Sequence, residues 1–311
     1  MTLELVEPGL LTLVQAAPYR GTRHLGMPLA GAADPVAMAL ANWLAGNGPE
    51  MAALETAYAP VTLRAHQDCV IGVHGAAIII EVNGAAMPTS QAVKLVRDDL
   101  LHIPPPSGGC RSYIAVQGGI SAEGQLNPTS TYLPAKLGGF GGEAMVRGAR
   151  FGPETAWLTR EVNALPAKYQ LCYSMDFLLR VVPAPESDWI DMASLWDEGR
   201  TVSRRADRIG LELAGEPLKL RRNTTIDSSA VFPGTIQCPP SGLPFLLGPD
   251  AQTTGGYPRI AQVIRADRHL IGQLRPGARI RFQRTEPAEA RRLYRSKIAL
   301  IHQLQPEFRL D

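Results

Sequence analysis

The segment Asp250-Ala251-Gln252-Thr253-Thr254-Gly255-Gly256-Tyr257-Pro258-Arg259 places an amide and two hydroxyls directly before a Gly-Gly pair. Glycines let backbone N–H groups approach a ligand closely, and the Tyr-Pro turn fixes the exit, so this stretch could hold a carboxylate, phosphate or carbonyl oxygen. The same hydroxyls would equally serve an ordinary hairpin loop by satisfying local backbone groups. A second polar cluster, Ser203-Arg204-Arg205-Ala206-Asp207-Arg208, precedes the apolar run Ile209–Leu213. Arginine suits bidentate carboxylate recognition and Asp207 could orient it; an exposed salt bridge at the start of a strand is the plainer alternative. Near the beginning, Arg23-His24-Leu25-Gly26 is followed by Ala30-Gly31-Ala32-Ala33-Asp34-Pro35. His24, flanked by Arg and Gly with a carboxylate nearby, is the general acid–base candidate, and Asp34 also fits a helix cap. His66, His74, His102, His269 and His302 share no ligand-like spacing, so no metal site is expected. The chain has no Gly-x-x-x-x-Gly-Lys-Ser/Thr phosphate loop and no Gly-x-Ser-x-Gly nucleophile elbow, which disfavours a self-sufficient ATPase or serine hydrolase of those types.

The elements that must position these groups read as mainly β. The 30 glycines and 26 prolines are spread in short clusters between apolar runs of strand length. Strict alternation of polar and apolar residues is rare, which predicts strands in closed or doubly covered sheets. Helical pattern is confined to Pro35–Leu44, with Asp34 as N-cap and Pro35 at the first helical position, to Trp189–Trp196, and to Pro287–Leu304. The last carries an apolar stripe of Leu293, Tyr294, Ile298, Ile301 and Leu304 and a basic face that reads as solvated surface. Residues 155–175 lack clear periodicity and contain Pro166, so a junction is expected there, between domains at 1–165 and 166–311.

Composition bounds the partners. The 311 residues carry a formal net charge of +2, too weak a field to attract nucleic acid or an anionic membrane. Cys69, Cys110, Cys172 and Cys238 form no Cys-x-x-Cys pair and read as reduced cytosolic thiols. Glu4 and Glu7 stand where a signal peptide needs a basic start and an unbroken apolar run, and no apolar run approaches the length of a membrane span. A soluble cytoplasmic chain is expected.

Taken in order, several segments resemble one family: Arg23-His24-Leu25-Gly26, Ala53-Leu54-Glu55, Arg111 to Val116, Gly118-Gly119-Ile120, Ser130-Thr131-Tyr132-Leu133, Gly138-Gly139-Phe140-Gly141-Gly142, Asp207-Arg208-Ile209-Gly210, Pro233-Gly234-Thr235-Ile236-Gln237, and Gln252 through Ile260. The sequence is similar to the KipA-like family of 5-oxoprolinase C subunits (allophanate hydrolase subunit 2) over about residues 5 to 285. The resemblance implies a pair of cyclophilin-like β-barrels with a few short helices and a terminal helix. It also implies a component that joins KipI-like and LamB/YcsF-like partner proteins in ATP-dependent opening of 5-oxoproline to glutamate. Two alternatives follow from the same resemblance: a biotin-dependent carboxyltransferase module of the urea carboxylase type, with biotin supplied by another protein, and a non-catalytic regulator that binds a KipI-like kinase inhibitor. The reaction centre in either enzyme is an amide-like carbonyl, where N–H donors and arginine would stabilise developing oxygen charge.

On this reading the catalytic candidates are His24, Asp34, Asp207 and Thr254. Arg208, Gln237, Gln252, Thr253, Gly255, Gly256, Tyr257 and Arg259 are the substrate-binding candidates. ATP is expected to act through the complex. The chain departs from the family where relatives usually carry polar groups: Ala30, Ala76, Ala206, Ser229 and Leu243 stand in place of Ser, Asp, Ser, Glu and Gln, and in Val14 to Gly21, where relatives typically read Val-Gln-Asp-x-Gly-Arg-x-Gly, Ala16 and Tyr19 stand at the positions of the acid and the arginine.

Overall fold

The computed structural model describes the chain apart from residues 1, 59, 122–129, 154–162, 197–198, 223–224 and 311, so part of the stretch expected to hold the domain junction lies outside the described residues. The chain divides into two compact units that interleave in sequence. The first takes Met1–Pro18, Asp34–Tyr173 and Ile301–Arg309; the second takes Tyr19–Ala33, Ser174–Leu300 and Leu310–Asp311.

The first unit contains β1 (Leu3–Glu7), β2 (Leu11–Gln15), helix α1 (Pro35–Ala45), β3 (Ala53–Ala57), β4 (Val61–Ala65), β5 (Cys69–Gly75), β6 (Ile79–Val82), β7 (Ala85–Pro88), β8 (Val93–Leu95), β9 (Leu100–Ile103), β10 (Arg111–Val116) and β11 (Arg150–Phe151). They form a six-stranded sheet in the order β11-β1-β4-β9-β6-β7 and a five-stranded sheet in the order β2-β3-β10-β5-β8. Neither sheet closes, so the expected pair of barrels is corrected to one. The missing alternation that suggested closure has another cause here. Every position of β10 is buried. Ile114 and Val116 of β10 and Ile71 and Val73 of β5 share one apolar core with Leu3 and Leu5 of β1 and Leu63 of β4, while the other face of β5 and β10 is covered by α1. Gly72 makes that cover possible: a Cβ there would stand 2.2 Å from the Ala41 carbonyl oxygen and 2.6 Å from Leu44 Cβ. A helix on one face and a sheet on the other bury a strand as fully as barrel closure does.

The second unit holds β12 (Asp176–Pro183), β13 (Arg200–Ala206), β14 (Gly210–Ala214), β15 (Ser229–Ala230), β16 (Thr235–Gln237), β17 (Phe245–Leu247), β18 (Thr254–Gly255), β19 (Arg259–Val263) and β20 (Arg279–Arg284). Seven of these close into a barrel in the order β12-β19-β16-β17-β14-β13-β20, and β15 and β18 pair separately. The barrel closes through a parallel pairing of β12 with β20, in register from Asp176 opposite Arg279 to Val181 opposite Arg284.

The expected helix at Pro35 is present and ends at Ala45, with Asp34 Oδ1 accepting the Ala37 N–H at 2.9 Å. The expected helix at Trp189–Trp196 is broken into a 3₁₀ turn at Ser187–Trp189 and a short helix at Ala193–Trp196. Backbone pairing explains the break, because Ile190 bridges Leu220 and the Trp189 carbonyl accepts the Arg221 N–H at 2.7 Å. The long helix runs over Pro287–His302. Among the described residues no helix is long and apolar enough to cross a membrane.

Candidate functional site

Within the second unit, the β13–β14 turn, the loop from Gly248 to Pro258 and the segment Tyr19–Ala33 meet through backbone hydrogen bonds. The Gly248 N–H reaches the Ile209 carbonyl at 2.8 Å, the Asp250 N–H reaches the Arg208 carbonyl at 3.0 Å, and the Ala30 N–H reaches the Pro249 carbonyl at 3.1 Å. Gly248 has no room for a side chain, since a Cβ would lie 2.4 Å from the Arg208 carbonyl oxygen.

Asp207 builds the turn itself. Its Oδ1 accepts the N–H groups of Ile209 at 2.7 Å and Gly210 at 3.0 Å, the local carboxylate-to-backbone bonding by which an aspartate shapes a turn. Arg208 is only 5% exposed. The carboxylate that orients it is Asp250: Arg208 Nε meets Oδ2 and Nη2 meets Oδ1, each at 2.9 Å, and Nη2 also donates to the Gly31 carbonyl at 2.6 Å.

The loop carrying Gln252 to Tyr257 is held as a strand arm. Thr254 and Gly255 pair with Ala230 and Ser229, the Thr253 carbonyl accepts the Val231 N–H at 3.0 Å, and the Gly256 carbonyl accepts the Ile226 N–H at 2.9 Å. Gln237 is buried and donates from Nε2 to the Tyr257 carbonyl at 3.0 Å. Arg259 closes the arm. Its backbone N and Nε donate to Glu186 Oε2 at 3.0 and 2.9 Å, Nη2 donates to Oε1 at 2.8 Å, and Nη1 donates to the Ala230 carbonyl at 3.1 Å. These bonds hold the Glu186 carboxyl below its usual range and push the Arg259 guanidinium above its own.

His24 sits exposed in the 3₁₀ turn Arg23–Leu25. Its neighbour Arg23 lies over the Phe232 ring, 4.9 Å from the centroid, and donates to the Val231 carbonyl. Gln252, Thr254 and Tyr257 are exposed, Tyr257 to 43%. Arg208 and Arg259 are both paired with carboxylates, and the exposed side chains of the 252–257 arm are the neutral hydrogen-bonding groups of Gln252, Thr254 and Tyr257.

Asp34 belongs to the first unit and is fully buried there. Besides capping α1, it accepts the Tyr173 hydroxyl at 2.6 Å on Oδ2, and its N–H donates to the Tyr113 hydroxyl at 2.7 Å. Tyr113 donates in turn to Glu55 Oε2 at 2.7 Å, and Glu55 Oε1 stands 3.2 Å from Arg111 Nε. Burial raises the Tyr113 hydroxyl well above its usual range, so it stays a neutral donor. Asp250, Glu186, Glu55 and Tyr113 are not among the sequence-derived candidates. The one legible signal was Asp250 at the head of the most distinctive segment.

The carboxyltransferase domain family, subdomains A and B, is matched by residues 25–284. The chain is 32% identical to the 5-oxoprolinase C subunit of Escherichia coli (strain K12) over 93% of both chains, and 30% identical to the 5-oxoprolinase C subunit of Haemophilus influenzae over 92% of both. The chain belongs to the family of 5-oxoprolinase C subunits. Among solved structures, this family member matches TTHA0988 with a TM-score of 0.82 and 32% identity, covering 91% of this chain and 55% of that one. It also shares the fold of the Kluyveromyces lactis urea amidolyase, with a TM-score of 0.89 and 24% identity, over 97% of this chain and 20% of that one.

Proposed function

We propose that this chain is the C subunit of an ATP-dependent 5-oxoprolinase-type amidohydrolase, acting in the cytoplasm with a KipI-like partner and a LamB/YcsF-like partner to open 5-oxoproline to glutamate. The observation that carries this reading is the end-to-end match, covering 93% of this chain and 93% of the Escherichia coli 5-oxoprolinase C subunit. The loop chemistry agrees with it. A ring-opening hydrolysis of a cyclic amide needs neutral donors at a carbonyl oxygen that gains charge, and a group to move a proton to the departing nitrogen. Gln252, Thr254 and Tyr257 are of the first kind and His24 is of the second. Arg208 and Arg259 are paired with Asp250 and Glu186. ATP enters this reading as a substrate of the complex, and no step assigned to this chain runs through it.

The test is ATP-dependent glutamate release from 5-oxoproline by the co-purified three-protein complex, with each component omitted in turn. Turnover should require this chain and be undetectable with this chain alone. A complete complex that leaves 5-oxoproline untouched would refute the reading.

The matched carboxyltransferase domain family favours a second reading, transfer of a carboxyl group from biotin carried by another protein. A biotin-dependent carboxylation of urea by the same complex would replace the first reading with this one.

A further inference from the structure

Arg208 reads from sequence as a substrate anchor, yet its guanidinium is buried against Asp250 and Gly31. A substrate carboxylate could take that place only by displacing Asp250 from a buried, doubly hydrogen-bonded pair, which leaves an uncompensated buried charge. The Gly31 carbonyl that Arg208 holds lies in an unusual stretch of backbone. Ala30 has φ of 50° and Gly31 has φ of 82°, two successive left-handed residues. A non-glycine residue keeps that conformation only where its surroundings over-determine it. Here the Ala30 N–H is tied to the Pro249 carbonyl and the next carbonyl to Arg208.

The same segment is fixed again beside His24. Arg23 stacks on Phe232 and donates to the Val231 carbonyl, and the Val231 N–H reaches the Thr253 carbonyl of the Gln252–Tyr257 arm. We infer that Tyr19–Ala33 is a strap that sets His24 against the Gln252–Tyr257 arm, and that the Arg208–Asp250 pair is its latch, a positioning device rather than a substrate anchor. The catalytic consequence rests on the function proposed above; the mechanical one does not.

Hydrogen–deuterium exchange of the full-length chain tests the latch directly, using Arg208→Lys and the shape-conserving Asp250→Asn, which carries the test should the lysine variant fail to fold. The amides of Ala30, Asp250 and Val231 should exchange about tenfold faster or more, while those of Ile236, Leu246 and Ile280 in the barrel keep their wild-type rates. Unchanged exchange at the first three, or equal acceleration throughout the barrel, would overturn the inference. In the reconstituted complex the same variants should lower kcat with KM within about twofold of wild type, whereas loss of an anchor raises KM at constant kcat and would also overturn it. A wild-type complex without 5-oxoprolinase activity would remove the proposed function and leave the exchange result to decide the latch.

Discussion

The side-chain amide of Gln237 runs so close to Gly255 that a Cβ at position 255 would stand 2.7 Å from Gln237 Nε2. The first glycine of the Gly-Gly pair therefore makes room for the chain's own glutamine, which in turn holds the Tyr257 carbonyl. Gly255→Ala should cost about 1–3 kcal/mol by overpacking. Gly256→Ala, whose added Cβ would stop 3.3 Å from the Ile226 carbonyl oxygen, should cost less. Urea denaturation of the two variants side by side checks the order; equal losses would show that Gln237 moves aside freely.

Tyr113→Phe should destabilise the first unit by about 1–3 kcal/mol, because it removes the hydroxyl that serves both Glu55 and the Asp34 N–H and leaves buried groups unsatisfied. Chemical denaturation measures this. A variant as stable as wild type would mean that the carboxylate and the N–H find other partners.

Acid should act on the first unit through His74. Burial pushes its imidazole down to about 4 from an ordinary 6.5. The unfolded chain takes up the proton first as pH falls, so stability is full above 6.5 and drains away between 6.5 and about 4. The loss is on the order of 3 kcal/mol. His74→Leu should flatten stability against pH over that window, and a slope identical to wild type would exclude His74 as its source.

Glu186 works in the opposite sense in a lower window. Its folded-state value lies below the ordinary 4.5, so the stabilisation from Arg259 is present above 4.5 and lost as pH falls further. Glu186→Gln should therefore be less stable than wild type near neutrality and approach it under strong acid. A gap between the two that does not close would point to packing rather than charge.

Thr254→Val and Tyr257→Phe should lower kcat/KM of the reconstituted complex by about tenfold or more each while leaving the melting temperature unchanged, since both hydroxyls belong to exposed residues. Unchanged rates in both variants would assign the arm a purely structural role.

Much of the local structure was legible because the signals are local. Asp34 followed by Pro35 announced α1. The Gly-Gly-Tyr-Pro run marked a loop, but its pairing as a strand with Ser229 and Ala230 was not legible. The partner of Arg208 was not legible. Asp207 is adjacent in sequence, but its carboxylate is taken by the next two N–H groups, and the residue that answers Arg208 is 42 positions away, brought there by the β13–β14 turn meeting the 248–258 loop. The single barrel was hidden for a similar reason. Full burial of β10 by a helix and a second sheet leaves the same apolar run as closure would.

The interleaving of the two units has a consequence for synthesis. The barrel seam joins β12 to β20, about a hundred residues apart, and the first unit receives Ile301–Arg309 as its last piece. On the ribosome, β12 must wait with a bare edge until β20 emerges, and the other unit waits longer still. Such an edge is a template for unwanted pairing. A nonsense truncation upstream of residue 279 leaves the barrel without its seam and the first unit without Ile301–Arg309, so such fragments should be held by chaperones rather than fold.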